Sequence, residues 1–284
     1  MSTFESMSMP TATAAEIAAQ LRAAGCVFAE DEAVLILGAV TQASDGDGTP
    51  CLEELVRRRI RGEPLEHVIG RAEFSGLSIL LDPRIFVPRR RTEYLVERAV
   101  ERARARAARR VGPPLVLLDL CCGSGAIGVA TATALVRAGH ACELHSVDID
   151  PAAAACARRN VASVGGQVHT GDLYGPLPSA LAGRIDVITA NAPYVPTETI
   201  PFMPPEARLH EPRHALDGGP DGLAVLRRVI LGASAWLSDG GHLLVETGRG
   251  QVPAVAELLM VHGLRPHVTT SDEFDATVVE GTAG

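Results

Sequence analysis

A glycine-rich turn that follows an apolar run constrains the fold of this chain more than any other feature. Residues 115–120 read Leu-Val-Leu-Leu-Asp-Leu, a nearly continuous apolar run typical of a strand buried on both faces. The turn Asp119-Leu-Cys-Cys-Gly-Ser-Gly125 follows, and a helical pattern begins at Ala126. Strand, glycine turn and helix in this order indicate a parallel βα unit whose turn can approach a ligand closely.

Further apolar runs predict the rest of the sheet. They span residues 144–147, 186–190 and 242–246, with helical patterns between or behind them. Residues 274–280 predict a last strand without a following helix, which can pair antiparallel at the end of the sheet. The predicted fold class is therefore α/β, with a doubly wound, mostly parallel Rossmann-like sheet.

The chain before this sheet has helical periodicity. Thr13 and Glu16 have the spacing of a capping box. Residues 31–43 and 51–61 repeat the helical pattern on either side of a turn-rich run, 44–50. These patterns predict a small helical domain in the amino-terminal part of the chain.

The spacing of apolar residues changes between the helical part of the chain and the α/β part. Apolar residues alternate within residues 74–86, which predicts a β-hairpin. We therefore predict a helical, substrate-recognition domain over residues 1–70, a hairpin linker over 71–91 and the α/β domain over 92–284.

Composition and charge exclude several classes of protein. Hydrophobic residues make up 46% of the chain, as in a packed globular protein. No run approaches the roughly 18 apolar residues of a membrane span, and no signal pattern is visible, so we expect a cytoplasmic protein without a membrane partner. The six cysteines show no metal-ligand spacing, so no metal site is expected. The net charge of −8 disfavours nucleic acid as the direct substrate.

A helix rich in arginine is predicted from Thr92, as its cap, to about Arg110. Ten arginines lie between residues 84 and 110. Helical spacing places Arg98, Arg102 and Arg106 on one face, which could steer an acidic partner or RNA or could simply be solvated. The sequence leaves these interpretations open.

Polar residues are expected where successive strands end, at the edge of the sheet that binds ligands. Gly123 and Gly125 allow close approach of the backbone, and Asp148 can accept both hydroxyls of a ribose. Asp172 could accept from an exocyclic amine, and Leu173 could cover a ring. This pattern favours a nucleoside-containing cofactor. The alternatives are that the glycines only tighten a strand-to-helix turn and that Asp172 is an ordinary loop acid.

Asn191-Ala-Pro-Tyr194 is the most specific motif, and it directly follows the apolar run 186–190. It resembles the N-P-P-Y motif of amino-group methyltransferases that act on planar nitrogens. More of the chain resembles the HemK/PrmC family of protein-glutamine methyltransferases, over about residues 63–280. The matching elements are Glu66-His67-Val-Ile-Gly70, Glu73-Phe74, Phe86-Val-Pro88-Arg89, Thr92-Glu93, His210-Glu-Pro-Arg213, Ala215-Leu216, Asp221-Gly222-Leu223 and Leu244-Val-Glu246.

The resemblance implies a class I methyltransferase domain that binds S-adenosyl-L-methionine and methylates a glutamine side-chain amide, with a translation release factor as the protein substrate. It implies cofactor contacts along the strand ends, at Asp119, Cys121, Gly123, Gly125, Asp148, Asp172, Leu173 and Asn191. Asn191, Ala192, Pro193 and Tyr194 would grip the substrate, and Asn191, Pro193 and Tyr194 would form the catalytic motif. The Asn191 side-chain oxygen and the Ala192 carbonyl can accept the two N–H bonds, while Tyr194 packs on the amide plane.

The chain departs from the family pattern at three places. Ala192 replaces the first proline of the motif, Arg90-Arg91 stand where Pro-Asp is usual, and Asp275-Ala-Thr replaces a basic closing motif. The chain could therefore be a divergent paralogue. The alternatives are an N-methyltransferase for adenine or a small-molecule nitrogen, and a cofactor-binding module without turnover.

Overall fold

The computed structural model describes residues 13–43, 51–109 and 112–284 of the chain. It divides into two compact units, with the boundary between Ile69 and Gly70. The predicted turn at 44–50 and the predicted helix end at Arg110 lie outside the described residues. Within the described residues, no helix is long and apolar enough to cross a membrane.

The described part of the first unit is helical. Its helices are α1 (Ala14–Ala23), α2 (Ala29–Ala43), α3 (Leu52–Ile60) and α4 (Leu65–Ile69). The predicted capping box is confirmed, because the Glu16 amide donates to the Thr13 hydroxyl and the Thr13 amide donates to the Glu16 carboxylate. Ile17, Leu21 and Ile36 are fully buried where the helices pack together.

The second unit begins with a two-stranded hairpin, β1 (Arg71–Phe74) and β2 (Leu77–Leu80). Ser75 and Gly76 connect the strands with φ of 50° and 70°, as a type I′ turn requires. The hairpin therefore lies earlier than the predicted range of 74–86. Phe74 and Ile79 are buried in the same hydrophobic core as residues of the α/β part that follows. The segment predicted as a linker thus packs as part of the second unit.

The α/β part contains a seven-stranded sheet in the order β5-β4-β3-β6-β7-β9-β8. Its elements are α5 (Glu93–Ala107), β3 (Leu115–Leu120), α6 (Ala126–Arg137), β4 (Cys142–Asp148), α7 (Pro151–Val161), β5 (Gln167–Thr170), β6 (Ile185–Ala190), α8 (Pro205–His210), α9 (Ala224–Trp236), β7 (Leu237–Glu246), α10 (Val252–Val261), β8 (Leu264–Ser271) and β9 (Ala276–Ala283). Strands β3 to β7 run parallel, whereas β9 pairs antiparallel with β7 and β8. The predicted doubly wound, mostly parallel sheet is confirmed, as is its antiparallel last strand.

Three arginines of α5, Arg98, Arg102 and Arg106, face the sheet, which corrects both interpretations of this helix face. The Nε atoms of Arg98 and Arg102 donate to the two carboxylate oxygens of Glu280 at 2.8 and 2.6 Å. Arg106 donates from Nε to Asp186 at 2.9 Å. Glu280 and Asp186 are 1% and 0% exposed, so the three arginines neutralise buried carboxylates instead of forming a solvated or partner-binding face.

Candidate active site

The turn after β3 is shaped by a buried carboxylate beneath it. Asp119 is fully buried and accepts the Gly128 amide at 3.0 Å and the Thr189 hydroxyl at 3.1 Å. Burial raises the pKa of Asp119 to about 7. Because its carboxylate is turned toward α6 and β6, Asp119 supports the turn and does not line the cavity above it. Asp119 therefore lies outside the cavity lining, and its predicted cofactor contact stays a prediction.

The glycines of this turn have different tasks. Gly123 has a φ of 55° and lines the cavity, and a Cβ placed there would meet no atom within 4 Å. Gly125 has a φ of 80°, and a Cβ there would lie 3.0 Å from the Val161 side chain. Gly125 therefore serves the packing of α6 against α7 and is not a wall residue. Gly123 leaves a backbone cradle, and Cys121 lines the cavity beside it with a φ of 54°.

Asp148 lies at the carboxyl end of β4 and lines the same cavity. Its Oδ2 accepts the Gly123 amide at 2.8 Å, and its Oδ1 accepts the Asp150 amide at 2.9 Å. Burial raises the pKa of Asp148, and these two amides oppose that effect. Each carboxylate oxygen can accept a second hydrogen bond, so the fixed side chain retains the capacity to hold two ligand hydroxyls.

Asp172 and Leu173 lie past the end of β5, and both line the cavity. The Asp172 carboxylate is paired with Arg228, and the pair is about half exposed. Leu173 has a φ of 48° and packs into the main core, so its side chain is held rigidly at the wall. The structure thus places both predicted residues at the cavity, with Asp172 already engaged by a cation.

The residues of the Asn191–Tyr194 motif follow β6, and all of them line the cavity. The Asn191 amide nitrogen donates to the Thr92 hydroxyl at 3.4 Å. The Tyr194 hydroxyl donates to Glu246 at 3.1 Å, and burial raises the pKa of Tyr194. The Tyr194 carbonyl in turn accepts the Gln251 side-chain amide at 3.1 Å. The motif is therefore held from two sides at the carboxyl edge of the sheet.

Several residues of this site were missed by sequence reasoning. Thr92, predicted as the cap of α5, makes no capping hydrogen bond and is buried beside Asn191. Glu211 pairs with Arg89 and accepts the Val87 amide at 3.4 Å, which ties the end of α8 to the segment before α5. Thr92, Glu211 and Glu246 all belong to the motifs of the family resemblance, which was the available signal for them.

The cavity encloses about 670 Å³, within the usual range for ligand sites. The turn after β3 and the Asn191–Tyr194 motif both line it, at the carboxyl ends of two neighbouring strands. A family model described as "Methyltransferase small domain" matches residues 111–219. A methyltransferase crystal structure from Pyrococcus furiosus covers 74% of this chain and 90% of its own with a TM-score of 0.50 at 15% identity, a likeness of fold. Fold and site define a class I methyltransferase.

Two relatives narrow this class. The release factor glutamine methyltransferase of Geobacter sulfurreducens is 39% identical over 220 residues, which are 77% of this chain and 72% of that one. The 4-amino-L-phenylalanine/4-methylamino-L-phenylalanine methyltransferase of Streptomyces pristinaespiralis is 33% identical over 265 residues, 90% of this chain and 88% of that one. The chain belongs to the release factor glutamine methyltransferase family. The expected S-adenosyl-L-methionine-dependent methyltransferase is thereby confirmed.

The residues at the turn fit this cofactor. The open space at Gly123 admits a ligand against the backbone, and Asp148 offers acceptors for ribose hydroxyls. We expect Asp148→Ala to weaken S-adenosyl-L-methionine binding roughly 10- to 100-fold, because charge-assisted hydrogen bonds contribute about 1.5–3 kcal/mol. Isothermal titration calorimetry gives the dissociation constants.

Asp172→Ala is the matched control for this prediction, because it removes another wall carboxylate that is already paired with Arg228. Its effect is expected to be smaller. An Asp148→Ala protein that binds the cofactor as tightly as the parent would remove Asp148 from the cofactor site.

Proposed function

We propose that this enzyme transfers a methyl group to the side-chain amide nitrogen of a glutamine in a translation release factor. The observation that carries the proposal is the position of Asn191–Tyr194 on the wall of the cofactor cavity, in a chain whose 220 aligned residues are 39% identical to a release factor enzyme. We also propose that the enzyme is cytoplasmic and that nucleic acid is not its direct substrate.

An amide nitrogen is a poor nucleophile because its lone pair is delocalised into the carbonyl group. Bound S-adenosyl-L-methionine supplies an electrophilic methyl group, so the protein's task is to aim the nitrogen at it. The Asn191 oxygen and the Ala192 carbonyl accept the two N–H bonds and fix the nitrogen, an effect of positioning and preorganised acceptors. Ala192 can do this as well as proline, because the acceptor belongs to the backbone.

The remaining wall residues shape the acceptor side of the cavity. The Tyr194 ring packs against the amide plane, and Pro193 restrains Ala192 to extended torsions. Met203 and Pro204, from the segment before α8, line the same cavity. These groups exclude water from the transferring methyl group, which strengthens each polar contact there.

A second candidate acceptor is the aromatic amine of a free amino acid. The alignment with the 4-amino-L-phenylalanine enzyme covers 90% of this chain, more than the 77% aligned with the release factor enzyme. Arg91, in place of the family's usual aspartate, lies at the cavity with its guanidinium carbon 5.9 Å from the Tyr194 ring centroid. The Arg91 side chain is about half exposed and its Nε lies 3.4 Å from Glu246 Oε1. Its remaining N–H donors suit an amino acid's carboxylate, and an arylamine presents the same planar NH₂ group.

One assay separates these acceptors. The enzyme is given radiolabelled S-adenosyl-L-methionine with a folded release factor, with the same factor lacking its candidate glutamine, or with 4-amino-L-phenylalanine. We expect label in the first protein only. Equal labelling of the release factor with and without its candidate glutamine would overturn the release factor proposal. Transfer to 4-amino-L-phenylalanine alone would establish the second candidate. Tight cofactor binding without transfer to either acceptor would favour a binding module without turnover.

A further inference from the structure

The Asn191 side chain has two orientations of nearly equal shape, and only one supports the proposed function. An amide presents a carbonyl oxygen, which accepts hydrogen bonds, and an NH₂ group, which only donates. If the oxygen faces the acceptor, it receives an N–H bond; if the NH₂ group faces it, two donors oppose each other. The protein therefore needs a device that distinguishes the two ends of this side chain.

We propose that Thr92 and Glu246 are positioning residues that fix the Asn191 oxygen toward the acceptor nitrogen. This inference rests on the proposed transfer to an NH₂ nitrogen held by Asn191. It assigns a role to two buried polar residues that the proposed mechanism does not use directly: Thr92, which lines the cavity, and Glu246, which does not.

The sheet register brings these residues together. Strands β6 and β7 are parallel neighbours, with Ala190 opposite Val245. Asn191 follows Ala190 directly, and Glu246 follows Val245 as the last residue of β7, so both lie at the carboxyl edge of the sheet. Thr92 reaches the same place from the 3₁₀ turn Arg90–Thr92 that precedes α5, and it is 1% exposed.

The contact between Asn191 and Thr92 has a direction. The Asn191 Nδ2 atom donates to the Thr92 Oγ1 atom at 3.4 Å, which leaves the Asn191 oxygen for the cavity. A hydroxyl could also donate to an amide oxygen, so this orientation holds only if the Thr92 proton is engaged elsewhere. A nearby carboxylate, which can only accept when it is ionised, provides such an engagement.

Glu246 is that carboxylate. It is 3% exposed, and its Oε1 accepts the Tyr194 hydroxyl at 3.1 Å. Its Oε2 has no partner of ordinary hydrogen-bond geometry within the described residues. Burial raises the pKa of Glu246, and the Thr92 hydroxyl, Arg91 and Tyr194 act in the opposite direction. The strand register and the contact of Thr92 with Asn191 bring the Thr92 hydroxyl to the same edge of the sheet as this oxygen, so in our proposal the hydroxyl donates to it. One buried carboxylate thus orders Asn191 through Thr92 and orders Tyr194 directly.

Thr92→Val and Thr92→Ser form a matched pair that tests this role. Valine keeps the shape of threonine without the hydroxyl, whereas serine keeps the hydroxyl. We expect Thr92→Val to lower kcat about 10-fold with little change in cofactor affinity, since one hydrogen bond fixes the orientation. Thr92→Ser is expected to retain most of the parent's kcat. In an Asn191→Ala background, Thr92→Val should have no further effect, because Thr92 acts through Asn191.

A second readout does not depend on turnover. The side-chain NH₂ signals of Asn191 in ¹⁵N-labelled protein are expected to shift in Thr92→Val and to stay near the parent values in Thr92→Ser. Unchanged signals in Thr92→Val, or an equal loss of kcat with and without Asn191, would overturn the proposal. If the parent methylates no acceptor, the proposed function fails, while the NH₂ signals still decide whether Thr92 orients Asn191.

Discussion

Replacing Asn191 with alanine is expected to lower kcat for methyl transfer about 100-fold or more, the cost of losing one preorganised transition-state hydrogen bond. The effect is expected in kcat because the oxygen aims the nitrogen at the methyl group. Cofactor affinity should fall much less, since we expect the cofactor to be held mainly by Gly123 and Asp148, which also line the cavity. Initial rates at saturating substrates and calorimetric titration of the cofactor measure the two quantities.

Asn191→Asp provides the comparison for this experiment. Aspartate keeps an acceptor at the same place but cannot donate to the Thr92 hydroxyl when it is ionised. It should therefore retain more activity than alanine and less than the parent. If Asn191→Ala turned over as fast as the parent, Asn191 would not orient the acceptor. An equal loss of cofactor affinity would mean that the substitution disturbs the whole cavity.

The centre of the sheet could be predicted from the sequence because its strands are buried on both faces. All six residues of β3 and all six of β6 are buried, and each strand reads as an apolar run. An edge strand has no such signal. Strand β8 alternates charged, polar and apolar residues with varied exposure, so it was missed, as was the short helix α8.

The site was predictable where backbone position alone decides the contact. Asp148 is the last residue of β4 and Asn191 follows β6, and both strands run parallel to β3, so the two residues lie at the same edge of the sheet, as expected. Asp119 shows the limit of this reasoning, because a carboxylate near a strand end can point toward a ligand or into the protein. The direction depends on the Gly128 amide and the Thr189 hydroxyl, which come from other elements.

The arginines of α5 show why charge patterns could not be assigned from sequence. Helical spacing places the three arginines on one face, but the acidic residues that contact this face come from distant parts of the sequence. Glu280 lies 182 residues after Arg98. Reversing Arg98, Arg102 and Arg106 to glutamate would therefore place new negative charges beside buried carboxylates. Such a variant is expected to unfold, so it cannot measure the steering of an acidic partner.

Arg106→Met is expected to destabilise the protein by about 3–5 kcal/mol, because it leaves a buried carboxylate without its cation. Arg106 contacts the fully buried Asp186 through Nε at 2.9 Å and Nη2 at 2.8 Å. Urea unfolding followed by the fluorescence of Trp236, the chain's single tryptophan, reports on the second unit.

Arg104→Met, on the exposed side of the same helix, should change the free energy of unfolding by only about 0.5 kcal/mol. Adding Asp186→Asn to Arg106→Met removes the uncompensated charge while keeping an acceptor for the Val116 amide, so it should recover part of the loss. Equal effects at Arg106 and Arg104 would show that the buried pair does not stabilise the fold.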